Sequence, residues 1–110
     1  MGRFHYDQSA GIVLDDRTLA HVQVIIIDKL RRGERFAFSA PSGSRLVTMW
    51  MTPDAALEFV YDDARMPNLN RDWLESLSNS AGSPMGLVLL PESPPQGFDT
   101  EDAAGGTVTA

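Results

Sequence analysis

Few side chains in this sequence have the chemistry of a catalyst, and each can be weighed by type and spacing. Covalent nucleotidyl transfer needs a lysine in a Lys-x-Asp-Gly setting, because an uncharged amine must attack an α-phosphate. The single lysine reads Lys29-Leu30-Arg31-Arg32-Gly33, with the acid absent and the glycine misplaced. There is no Gly-x-x-x-x-Gly-Lys phosphate loop and no Gly-x-Gly-x-x-Gly turn after a strand. No serine sits in a Gly-x-Ser-x-Gly elbow. His5 and His21 fall in different elements and share no ligand spacing, and with no cysteine there can be no thiolate site or disulfide. The acid pairs Asp15-Asp16 and Asp62-Asp63 have the right groups for general acid–base or Mg²⁺ work, but they read better as a helix cap and a polar loop. The sequence therefore points to no catalytic residue, no metal site and no cofactor.

Two groups of residues could bind rather than react. Lys29, Arg31, Arg32 and Arg35 gather around a helix end, interrupted by Asp28 and Glu34. They suit either a solvated helix C-terminus, where cations offset the dipole, or contacts to phosphate or to a partner's carboxylates. The second group is Leu46, Thr48 and Trp50, which share one face of an apolar run. That face is either covered by another element or an interface for a partner or a second copy of the chain.

The elements that must position these residues follow from periodicity. Phe4, His5, Tyr6 and Ile12, Val13, Leu14 are short β-prone runs around residues 7–11, a hairpin. Asp15-Asp16 caps a helix over 17–32 that Gly33 stops. Leu19, Val22, Gln23, Ile26 and Leu30 form its buried stripe, widened by Ala20, Val24 and Ile27, with His21 and Ile25 on the opposite, polar side. Phe36 and Phe38 alternate with polar and small residues. After a turn at 41–44, residues 45–51 alternate Val47, Met49 and Met51 against Leu46, Thr48 and Trp50. Apolar on both faces, this run reads as a central strand or one with a covered outer face. Leu57, Phe59 and Tyr61 complete a three-stranded meander. Asn70 caps a second helix over 71–80, and residues 86–90 form a last buried strand. The order ββ-α-βββ-α-β gives a small α+β domain, one antiparallel sheet with two helices packed on it.

The chain has 110 residues, nine basic and fifteen acidic, and a net charge of −6. That is enough for one domain and one core. Residues 91–110 hold Glu92, Asp99, Glu101 and Asp102 and no base, leaving eleven acids against nine bases in residues 1–90. Rich in Pro and Gly, residues 91–110 read as a disordered acidic tail, either simply solubilising or carrying Phe98 as a short docking motif, and residues 1–90 as the folded domain. Apolar runs as short as 24–27 cannot span a bilayer, and the first residues carry no apolar leader, so a cytoplasmic protein is expected.

Several motifs together carry a family likeness. They are residues 15–23, Lys29-Leu30-Arg31-Arg32-Gly33-Glu34, Trp50 with Pro53, Asn70-Arg71-Asp72-Trp73, and residues 79–87. Over about residues 1–95 the chain resembles a family of small actinobacterial proteins of unknown function, whose members often carry the label ATP-dependent DNA ligase. The likeness transfers no catalytic residue. What it implies is a DNA-linked role, in repair or ligation, with the basic cluster on phosphates. The residues themselves favour a non-catalytic interaction module that binds protein or self-associates through the sheet.

Overall fold

The computed structural model describes residues 1–7 and 11–92. The acidic tail beyond Glu92, with its expected disorder and its Phe98 motif, lies outside the described residues. Strands β1 (Gly2–Tyr6) and β2 (Ile12–Leu14) pair antiparallel, with Phe4 opposite Ile12. Helix α1 (Asp16–Arg31) follows. The Asp15 carboxylate caps it by accepting from the Thr18 N–H at 3.3 Å and the Thr18 hydroxyl at 2.5 Å. At its far end the Glu34 N–H returns to the Lys29 carbonyl and the Gly33 N–H to that of Leu30, the paired bonds of a Schellman motif.

Next come β3 (Phe36–Ser42), β4 (Arg45–Met51) and β5 (Leu57–Val60), then α2 (Arg71–Ala81) and β6 (Leu87–Val88). The element order is the expected one, and the class is α+β. The sheet arrangement differs from the single sheet and meander expected. There are two three-stranded sheets, β2-β1-β5 and β4-β3-β6, and β6 runs parallel to β3. The chain leaves β4 through a turn at Thr52–Ala55, where the Ala55 N–H reaches the Thr52 carbonyl at 3.1 Å. Asp7 then captures β5. Its N–H donates to the Ala56 carbonyl at 2.7 Å, and its carboxylate accepts from the Ala56 N–H at 2.8 Å. These contacts set β5 against β1, with Phe59 opposite Phe4.

The core joins both sheets. Phe4 meets Phe38 edge-on, with centroids 5.6 Å apart, and Phe59 at 5.2 Å. Leu19, Val22 and Ile26 of α1 and Trp73 and Leu77 of α2 fill it further. Each such side chain contributes about 1.5–3 kcal/mol by its burial. The buried face of α1 is rotated from the expected stripe. His21 and Ile25 are inside, while Val24 and Ile27 remain partly exposed. The cause is α2, whose Trp73 ring lies against the His21 side of α1.

Gly86 makes the docking of β6 possible. Its φ is +79°, and a Cβ there would fall 2.4 Å from the Ala37 carbonyl oxygen. Only glycine lets the two backbones come this close.

Candidate interaction surface

Among the described residues β4 is an edge strand, not a central one, since its only neighbour there is β3. The β3–β4 hairpin closes through Gly43 and Ser44, with Ser42 opposite Arg45. Gly43 has φ +63° and no non-glycine residue except Asp7 has positive φ among the described residues, the pattern of a type II′ turn. In such a hairpin the closing pair is hydrogen-bonded, and every second pair after it. Residues 45, 47, 49 and 51 therefore bond to β3, whereas Leu46, Thr48 and Trp50 turn their N–H and C=O outward. The Trp50 carbonyl accepts the Tyr6 hydroxyl. The outward groups of Leu46 and Thr48 face no neighbouring strand among the described residues.

The side chains of the same three residues stand on the outer face. Leu46 is 71% exposed and Trp50 57%, and nothing among the described residues covers them. Thr48 is exposed as well, its hydroxyl 2.7 Å from that of Ser39. Opposite this row on β3 lie Pro41, Ser39 and Ala37. The structure thus brings Leu46, Thr48 and Trp50 together on one open face, while Met51 on the inner face is fully buried.

The basic cluster is largely spoken for. Lys29 Nζ donates to Glu34 at 2.6 Å and sits 5.8 Å from the Phe36 ring centroid. The Schellman turn itself brings Glu34 back to Lys29. The pairing with Lys29, first through its hydrogen bond, holds the Glu34 carboxyl below the usual carboxylate range. Arg32 pairs with Asp28 one turn back and approaches Glu34 at 3.7 Å. Arg31 and Arg35 are exposed and have no ion pair among the described residues.

A polar junction that sequence reasoning misses lies where α1, α2 and the chain after β6 meet. His21 is fully buried rather than at the surface. The Asn70 N–H donates to its Nε2 at 2.7 Å, so Nδ1 carries the proton and donates to the Arg17 carbonyl, also at 2.7 Å. The ring stacks on Trp73 with centroids 4.4 Å apart. Arg17 grips Glu92 with two bonds of 2.8 and 2.6 Å and donates a third, of 2.6 Å, to the Asn68 carbonyl. Asn70 caps α2 with its side-chain oxygen and donates from its amide to Glu92 at 3.0 Å. Arg17, and after it Asn70, hold the Glu92 carboxyl down at about 2. Counting Glu92 with the acidic tail hides this role. The bidentate match to Arg17 has no local sequence signal, because the partners are seventy-five positions apart.

This constellation has a histidine, an arginine and a carboxylate, yet every one of them is bonded within the fold. The acid pairs are similar. Asp16 accepts from the N–H groups of Asp62 and Asp63 at 3.3 and 3.1 Å, so the two pairs meet; the Asp15 and Asp63 carboxylates also hold backbone N–H groups, and that of Asp62 pairs with the Met1 ammonium. No group of three or more metal-ligating side chains occurs among the described residues, and no described helix is long and apolar enough to cross a membrane.

The fold is a small two-sheet α+β domain in which β4 is the longest edge strand among the described residues. A family model described as a domain of unknown function, DUF7882, matches residues 1–92, and the chain belongs to that family. That span ends on Glu92, the last residue of the polar junction. Comparisons with characterised proteins and with solved structures give no match.

Proposed function

We propose that this domain is a non-catalytic interaction module that binds protein through the edge and outer face of β4. The observation that carries the reading is the exposure of Leu46 and Trp50 on a strand with open backbone groups. Elsewhere His21, Arg17, Glu92, Lys29 and the two acid pairs are bonded to one another, to backbone or to the chain's first residue. A sheet edge offers main-chain hydrogen bonds for affinity, and the adjoining side chains add selectivity. Tryptophan is also among the residues that dominate binding energy at interfaces.

Site-specific photo-crosslinking tests this. A photo-reactive residue in place of Leu46 should give protein adducts in the producing cell that disappear when Trp50 is changed to Ser. The same probe in place of Val13, on the outer face of the other sheet, should not. Equal adducts from both positions would contradict the reading. The DNA-accessory reading suggested by the family label rests on Arg31 and Arg35, the two cluster cations without an ion pair. It calls for salt-sensitive binding to nicked duplex, and absence of binding at about 50 mM salt removes it.

A further inference from the structure

We infer that the occupant of the β4 edge is a second copy of this chain, joined strand to strand about a twofold axis beside Val47. This rests on the interaction reading above and adds the partner and the register. Natural sheets protect their edges with charges, proline, bulges or very short strands. β4 has almost none of these. It is seven residues long, pairs with β3 without a bulge, contains no proline, and carries one charge, Arg45, at its end.

The register follows from which groups are open. Trp50 has its carbonyl bonded to Tyr6, so the open groups among the described residues are the N–H and C=O of Leu46 and Thr48 and the N–H of Trp50. An antiparallel copy centred on Val47 sets Leu46 opposite Thr48 of the partner subunit, and Thr48 opposite its Leu46. That satisfies four of the five open groups on each chain, sets the Trp50 N–H toward Ser44 of the partner subunit and leaves the Tyr6 bond in place. On the outer face Trp50 then lies diagonal to Leu46 of the partner subunit, within reach of an aromatic ring. The two Arg45 side chains stand about 14 Å apart along the joined strands, too far for strong repulsion in salt. A partner rich in charge gains little from so apolar a row, whereas an identical strand matches it group for group.

The area sets the strength. Leu46, Thr48 and Trp50 with the adjoining strand cover well under the ~800 Å² per partner of a standard stable interface. The dimer is therefore concentration-dependent, dissociating in the range of about 10 µM to 1 mM. The joined edges would convert two three-stranded sheets into one continuous six-stranded sheet.

Sedimentation equilibrium of the full chain from about 1 µM to 1 mM is the test. The wild type should pass from monomer to dimer, and Leu46→Lys should weaken the dimer at least about tenfold. Met85→Lys makes the same change at a site 74% exposed but away from β4, and should leave it unchanged. Leu46 is largely exposed, so Leu46→Lys should keep its melting temperature close to that of the wild type. A wild type that stays monomeric to about 1 mM overturns self-pairing, while position-46 crosslinks to another protein would still uphold the module. A dimer indifferent to Leu46→Lys overturns β4 as the self-interface.

Discussion

The sheet β4-β3-β6 ends differently on its two sides. On one side β6 is two residues long, and its surroundings answer its backbone. The Val88 N–H donates to the Ser80 hydroxyl at 3.0 Å, and that hydroxyl donates to the Gly86 carbonyl at 3.2 Å. The Trp73 indole donates to the Leu90 carbonyl at 3.0 Å, and Glu92 is clamped by Arg17 and Asn70. On the other side β4 is seven residues long, and among the described residues a single hydroxyl, that of Tyr6, is bonded to its outer edge. The β6 side contains residues that look reactive and are all committed to structure. The β4 side contains none that look reactive, yet it leaves both surface and hydrogen-bonding groups unspent. In this chain, residue type alone does not tell which side is left open.

Substitutions on the sealed side should cost stability, and those on the open side should cost association. The largest effect belongs to His21→Ala, which strands the buried Asn70 N–H and opens a void against Trp73. It should lower the unfolding free energy by about 3 kcal/mol in urea titrations. Gly86→Ala drives a Cβ into the Ala37 carbonyl at a positive φ and should cost about 2 kcal/mol, loosening β6 from β3.

Glu92→Gln should cost about 1 kcal/mol, since the pair with Arg17 is partly solvated. Its pH signature is more telling. The folded-state pKa of about 2 lies below the ordinary 4.5, so Glu92 stabilises the fold above pH 4.5 and loses that contribution as pH falls toward 2. Melting temperatures of the Gln variant should therefore decline less steeply than the wild type's across that window. Smallest of all, Trp50→Ser should change stability by under about 0.5 kcal/mol while weakening self-association. A large stability loss there would erase the contrast between the two sides.

The fold was legible where the signals are local. Asp15 and Asn70 as caps, Gly33 as a stop and the period-two runs place both helices and every strand within a few residues. Pairing was less so, because β5 is held to β1 by Asp7, forty-nine positions from Ala56. That same long-range capture left β4 at an edge, so an outer face that alternation alone left either covered or open is open among the described residues. His21 was misplaced because helical phase gives only one helix's view, and α2 packs on the side that α1 alone presents as polar. Leu46, Thr48 and Trp50 were identifiable as a shared face from alternation. That their backbone groups are also free depends on the closing pair of the hairpin and on where β5 goes.

Amide hydrogen exchange at Leu46 and Thr48 bears most directly on the β4 edge. As the protein is raised from about 10 µM to 1 mM, both amides should become protected, while the outward-turned amide of Ile12's neighbour Val13, on the other sheet, should not change. Exchange at Leu46 and Thr48 that is fast and independent of concentration, in the full chain and with no other protein bound, would contradict it.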